Sequence, residues 1–369
     1  MIAKSISEKI LFVGPPYENP KGGIAYVIYA YSKLFEPFHF IKTTNLGHSV
    51  NNIICLIKAL FIFLYKICNP NVQIIHIQGA SKNSFWRAAI FICIAKLFHK
   101  KTIYHIHGGG FKSFSLQHKK AISYVFSKCD VIVALSMNWK RFFEHEFNLD
   151  NVKIIPNIIE TPQENHTNRN ETVIQFLFLG KICNEKGIFE LVEVIDENKN
   201  SLIGKMKLII GGNGETNRLE RIIKDKKLDE IIQFVGWVNG EKKIEALNKS
   251  HVYILPSHIE VLPISILEAM SYHLPIISTR VGAIPDIVIN NKNGFLVNPR
   301  DKDALKNAIS EMISFTPEKR EKMGQQSFNL VQPYLSFHVE KILEDLYLSL
   351  LKKTIINNIY HQKTSKISL

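Results

Sequence analysis

The chain lacks most of the features that announce a specialised scaffold. Its five cysteines, Cys55, Cys68, Cys93, Cys129 and Cys183, never form a CxxC pair. That excludes the usual zinc spacing and a disulfide framework, and it fits a reducing compartment. No apolar run is long enough to span a bilayer. The longest, residues 53–68, holds sixteen residues broken by Lys58 and Lys66, where about twenty are needed. Only four apolar residues, 10–13, precede Gly14-Pro15-Pro16, too few for a signal-peptide core and suited to a first buried strand. A dinucleotide fingerprint is also missing. Gly212-Asn213-Gly214 would need glycine at 217, which is Asn217, so a hydride-transfer enzyme is excluded and a tight turn expected. Acidic residues are scarce in one half only: residues 1–165 carry 19 basic and 9 acidic side chains, and the remainder 27 and 24. No RNP, helix-turn-helix or zinc-finger pattern accompanies that charge, so no nucleic-acid partner is expected. An anionic membrane surface or a phosphate-bearing substrate fits it.

What is present is a long alternation of short apolar runs and helix-length segments. With 369 residues, 46% hydrophobic and 21% charged, the chain can bury two cores of ordinary size. Candidate strands lie at 10–13, 74–77, 102–107, 131–134 and 153–155, and after a gap at 176–179, 207–210, 232–235, 252–255, 275–278 and 294–297. Continuous Ile, Leu, Val and Phe runs of this length indicate parallel strands covered on both faces. The fold class is therefore α/β, with two Rossmann-like, doubly wound parallel-sheet domains facing across a cleft. Residues 1–162 form the first domain, 163–169 a polar linker, and 170–333 the second. A helix over 334–353 is expected to pack back on the first domain, with fraying after about 354. The apolar stretch 53–68 is expected to be a mostly buried helix whose lysines snorkel to water.

Strand ends are where doubly wound sheets bind ligands. Gly22-Gly23 follows the first strand and opens a helix, either as a flexible turn or as a close backbone approach to an anion. His107 stands where a strand yields to Gly108-Gly109-Gly110, open to substrate or merely a satisfied polar residue, while His105 reads as structural. In the second half, Lys181 and Lys186 flank a helix start and could converge on a diphosphate or be ordinary surface lysines. The stretch 255–270 reads LPSHIEVLPISILEAM. It places Glu260 before a helix expected to start at Pro263, with Glu268 on that helix. A separation of roughly 12 Å if helical is too long for a retaining glycosidase pair, so the two acids must touch different parts of one extended ligand. Asp301 and Asp303 mimic a metal-binding DxD, but they open a helix and read as a cap and a first-turn acid.

Together these elements resemble the retaining glycosyltransferases of the GT-B fold, family four (glycosyl transferases group 1). The resemblance rests on Gly22-Gly23, His107-Gly108, Ile155-Pro156-Asn157, the segments 178–187 and 234–238, Glu260 and Glu268 eight apart, and the block 282–297. It implies His107 and Glu260 at the transferred sugar. It also implies a donor site of Gly22, Gly23, Lys181, Lys186, Gly236, Val261, Leu262, Ile264 and Glu268, the last on the ribose. Lys181 stands where the family usually has arginine, Val261 where glycine is common, and Ile158 likewise. No metal and no cofactor are implied, because lysines take the place of a cation on the departing diphosphate. The implied partners are a nucleotide-sugar, a glycan acceptor linked to polyprenyl diphosphate, and an anionic membrane surface. The implied setting is the cytoplasmic face of the membrane, in O-antigen or capsule assembly. The alternatives are a nucleotide-sugar epimerase or hydrolase on the same fold, and a non-catalytic sugar-nucleotide-binding protein.

Overall fold

In a computed structural model the chain divides into two compact units, Met1–Ile158 with Ser336–Leu369, and Ile159–Leu335. The structure describes residues 1–18, 20, 22–45, 49–162 and 172–365, giving the backbone alone for residues 49 and 353–365. The expected linker, 163–169, lies outside the described residues.

The first unit runs α1 (Lys4–Ser7), β1 (Ile10–Gly14), α2 (Gly23–Ser32), β2 (Phe40–Lys42), α3 (Ser49–Ile67), β3 (Ile74–Gly79), α4 (Asn83–Leu97), β4 (Lys101–Ile106), α5 (Phe111–Phe126), β5 (Val131–Ala134), α6 (Met137–Phe147) and β6 (Val152–Ile154). All its strands are parallel, in the order β2-β1-β3-β4-β5-β6. The strands form where β-branched and aromatic residues run without interruption. Buried on both faces, such strands show no polar alternation. Much of the packing is aromatic. Phe111 stacks on Phe126 at 5.9 Å, and Phe143 meets both edge-on.

The second unit runs β7 (Ile174–Leu179), a 3-10 turn (Asn184–Lys186), α7 (Ile188–Glu197), α8 (Lys199–Leu202), β8 (Met206–Gly211), α9 (Thr216–Asp225), β9 (Ile232–Phe234), α10 (Gly240–Lys249), β10 (Val252–Leu255), α11 (Ile264–Ser271), β11 (Ile276–Thr279), α12 (Ile284–Ile287), β12 (Gly294–Val297), α13 (Lys302–Ser314) and α14 (Pro317–Val331). Its order is β12-β11-β10-β7-β8-β9, again all parallel. Asp301 caps α13, accepting from the Ala304 amide at 2.9 Å, as its place before a helix predicts.

The last helix, α15 (Ser336–Ser365), belongs to the first unit. It extends past the expected end near 353, because no proline or glycine interrupts residues 354–365. Tyr347 ties it to β3 through a 2.7 Å hydrogen bond with His76 Nδ1.

Three expectations need correction. β2 has no counterpart in the sequence reading, since three residues leave too short an apolar run to register. The helix over 53–68 is not mostly buried. Cys55, Ala59, Phe63 and Ile67 pack inward at four-residue spacing, but Ile53 (60% exposed), Ile57, Phe61 (70%) and Tyr65 (84%) form a parallel outward stripe. By length and composition Val50–Ile67 is long and apolar enough to cross a membrane, against the expectation that no run is, and only 22% of its residues are buried. Both stripes are apolar, so composition hides the asymmetry that four-residue spacing carries.

Candidate functional site

Each sheet has one place where its strand order reverses, between β1 and β3 in the first unit and between β7 and β10 in the second. Crevices beyond the carboxyl ends of the strands at such points are the natural ligand positions. The candidate residues gather near these ends, unit by unit.

In the first unit, β3 and β4 each carry polar side chains on alternate positions of buried strands: His76 and Gln78, then His105 with His107 just past the strand. Their rings stack in a row. His76 and His105 are 5.6 Å apart, and His105 and His107 4.2 Å. Gln78 bridges the row. Its Oε1 accepts from His107 Nε2 at 2.6 Å, and its Nε2 donates to His76 Nε2 at 3.3 Å. With Gln78 accepting, His107 carries its proton on Nε2, and His76 donates through Nδ1 to Tyr347 Oη. Burial pushes the His76 and His107 imidazoles down to about 3, and at His76 the neighbouring His107 lowers it further. The Asn157 side chain opposes the fall at His107. His105 is held well below the usual imidazole range by burial. The Ile155 backbone lies near it, but neither ring nitrogen reaches hydrogen-bond geometry among the described residues. His107 keeps a partly exposed edge. It is therefore a neutral ring of fixed tautomer, able to meet a hydroxyl but not to serve as a cation. Gly22 and Gly23 are exposed, with Gly22 as the N-cap of α2.

In the second unit the candidates are charged and paired. Glu260 Oε1 accepts from Lys186 Nζ and, at 3.0 Å, from Ser257 Oγ. Eight residues on, Glu268 Oε1 accepts from Lys243 Nζ at 2.6 Å. Lys243, on α10, carries no local signal and was not singled out by sequence. Pro263 is the N-cap of α11 rather than its first residue, with extended ψ of 120°, so the helix begins at Ile264. Val261 and Leu262 are buried and Ile264 partly so, while Lys181 is exposed and Gly236 partly exposed beside the exposed Val235 and Trp237.

Two glycines hold the loop that carries Glu260. Gly187 has φ of +68°, and a Cβ there would lie 2.0 Å from the Pro256 carbonyl oxygen. Gly282 has φ of +58°, and its Cβ would lie 2.3 Å from the Glu260 carbonyl oxygen. Neither position accepts a side chain without moving the loop. Further ties come from His258, whose amide donates to Glu185 O at 2.8 Å and whose ring pairs with Glu190 at 2.8 Å. A carboxylate fixed this way, with one ammonium against it, offers a rigid polar edge to a ligand. The ammonium keeps donors for an anion.

Residues 160–329 match the family described as glycosyl transferases group 1. An uncharacterized glycosyltransferase of Methanocaldococcus jannaschii is 27% identical over 263 residues, 66% of this chain and 66% of that protein. An uncharacterized 41.2 kDa protein in the cps region of Klebsiella pneumoniae is 25% identical over 273 residues, 72% of this chain and 68% of that one. The chain thus spans about two thirds of the length of these curated relatives. Among solved structures, Anabaena HepE in complex with UDP superposes with a TM-score of 0.73 at 14% identity, covering 92% of this chain and 100% of that one. The chain is thus similar over residues 160–329 to the glycosyl transferases group 1, and it has the GT-B fold.

Proposed function

We propose that the chain is a retaining, metal-independent glycosyltransferase that moves a sugar from a nucleoside-diphosphate donor onto a glycan acceptor in surface polysaccharide assembly. The observation that carries this reading is the paired arrangement Lys186–Glu260 and Lys243–Glu268, built on one loop and helix of the segment similar to group 1. The UDP complex of HepE and the cps-region relative support the donor class and the setting.

On this reading Lys181 and Lys186 hold the donor diphosphate. Lys186 uses the N–H groups not committed to Glu260. Charge that builds on the departing diphosphate is then met by fixed ammonium groups, which lowers the barrier without a metal. Glu268 takes the ribose hydroxyls, Glu260 the sugar, and the 235–237 backbone frames the base. His107 offers its neutral ring to a sugar hydroxyl. The acceptor oxygen attacks from the face the diphosphate leaves. A C–O bond to the acceptor forms as the bond to phosphate breaks, and the acceptor proton passes to a donor phosphate oxygen. No strong protein base is needed.

The test is thermal stabilisation by UDP, GDP, ADP and dTDP with their common sugars, in EDTA, on wild type and Glu268→Ala. One nucleotide stabilising the wild type by several degrees and the variant far less is the expected result. If no nucleotide binds and none of the sugar donors releases its diphosphate with any acceptor extract, the reading fails.

A further inference from the structure

Tyr347, His76, Gln78 and His107 make one continuous hydrogen-bonded chain, from the last helix to the end of β4. Its steps measure 2.7 Å from Tyr347 Oη to His76 Nδ1, 3.3 Å from His76 Nε2 to Gln78 Nε2, and 2.6 Å from Gln78 Oε1 to His107 Nε2. Tyr347, His76 and Gln78 are buried. Phe12 stacks on His76 at 5.1 Å, and Phe35 meets Tyr347 edge-on at 5.8 Å. Behind such apolar walls each polar group depends on the next member of the chain for its partner.

A chain of this composition can run in two directions. A neutral imidazole donates at one nitrogen and accepts at the other, and an amide has one donor end and one acceptor end. Reversing any member therefore reverses them all. In one direction His107 Nε2 donates to Gln78 Oε1, Gln78 Nε2 donates to His76 Nε2, and His76 Nδ1 donates to Tyr347 Oη. In the other, Tyr347 donates to His76, the Gln78 amide is turned over, and the His107 proton sits on Nδ1.

The spacing chooses between them. The 2.6 Å step has room for an amide oxygen and not for an amide nitrogen, while the 3.3 Å step suits nitrogen against nitrogen. Gln78 keeps its oxygen toward His107 as long as His76 accepts at Nε2. His76 accepts there as long as Tyr347 Oη takes the proton on Nδ1. The Asn157 side chain also bonds the His107 ring, but its amide offers a donor and an acceptor and fits either state. The proton position on His107 is thus set from residue 347, on α15.

We propose that Gln78 and Tyr347 are positioning residues for His107: acting through His76, they fix its proton on Nε2 and leave Nδ1 as an acceptor for a hydroxyl of the transferred sugar. This rests on the glycosyltransferase reading and specifies the sense of the contact within it. The ring takes a hydrogen bond from the sugar and gives none. It also assigns the C-terminal helix a part in the reaction, through one phenol oxygen that touches no substrate.

The experiment reads the His107 ring directly. Long-range proton–nitrogen correlation spectra of protein with isotope-labelled histidine show which ring nitrogen carries the proton, with His107→Phe identifying the signals. Wild type, Tyr347→Phe and Gln78→Leu are compared, and sugar transfer is measured on the same samples. The wild-type proton is expected on Nε2. Tyr347→Phe keeps the ring against Phe35 and removes only the oxygen, so the chain reverses and the His107 proton moves to Nδ1. Gln78→Leu removes the bridge and leaves a mixture of the two forms. Transfer falls about five- to tenfold in each, the size of one hydrogen bond, while affinity for the bare nucleoside diphosphate is unchanged. Should Gln78→Leu fail to fold, the isosteric Tyr347→Phe decides alone. A wild-type proton on Nδ1 overturns the inference, and so does an unmoved proton in Tyr347→Phe. A moved proton with a full rate overturns the link to the reaction. If the wild type transfers no sugar, the glycosyltransferase reading falls and takes that link with it, whereas the proton positions still decide the chain.

Discussion

At the strand ends of the first unit the polar side chains are stacked rings without charge, whereas at those of the second they are lysine–glutamate pairs. Both devices immobilise a functional group, but they do so by different physics. The histidine row depends on exclusion of water and on one amide that sets proton positions. The ion pairs depend on opposite charges at a partly wet surface. Acid therefore attacks the first, and loss of a single charge attacks the second.

The largest expected effect breaks the charged side. Lys186→Met removes one ammonium from the diphosphate and leaves Glu260 without its partner, so turnover should fall about 10²–10³-fold. Adding Glu260→Gln should restore stability against denaturant but not turnover. Recovery of the rate in the double variant would show that Lys186 serves only to neutralise Glu260. Next comes the loop that holds Glu260. Gly187→Ala forces a side chain into left-handed backbone and against Pro256, and should cost about 1–3 kcal/mol, read as an earlier unfolding transition in urea. An unchanged transition would mean that the loop carries no such constraint.

The neutral side is probed by pH. The folded rings of His76 and His107 resist protonation to about 3 and that of His105 stays well below the usual imidazole range, while unfolded histidines take up protons near 6.5. Their contribution to stability is therefore whole above about 6.5 and is lost as the pH falls toward 3. Denaturant midpoints measured from pH 7 to 4 should fall steadily, and a flat profile would contradict the neutral row. His105→Phe sharpens the point. It keeps a ring in the stack and removes two buried nitrogens that reach no partner among the described residues, so it should stabilise the chain at pH 7 by about 1 kcal/mol and flatten the acid limb. A loss of stability at pH 7 would mean that those nitrogens are satisfied after all. The smallest effect expected is on the charged side. Lys181→Arg, on an exposed side chain, should tighten the preferred nucleoside diphosphate only a few-fold through bidentate contact, measured by calorimetry.

Much of the fold is legible because buried parallel strands leave unbroken apolar runs. The strands at 131–134, 252–255 and 294–297 coincide with β5, β10 and β12 to the residue. β2 is not legible, since three residues next to His39 make no run. Glu260 and Glu268 could be picked out because they are close in sequence. Lys243 could not, because its partner lies 25 residues away and only folding brings the two helices together. A signal for Gln78 did exist: polar residues at every second position of a strand otherwise wholly apolar mark a polar row inside a core. The outward stripe of α3 was concealed by a different cause, two apolar faces on one helix.

The hydrogen bond between His76 and Tyr347 joins residues 271 apart in sequence. On the ribosome, at about 5–20 residues per second, the hydroxyl that His76 awaits emerges roughly 15–50 seconds after it. The second unit, residues 159–335, is synthesised entirely within that interval and can close on its own contiguous chain. The first unit must instead wait, its histidine row uncapped, until α15 is synthesised. The unit begun first is thus the one completed last, with the partner of its His76 supplied only after the whole of the second unit has been made.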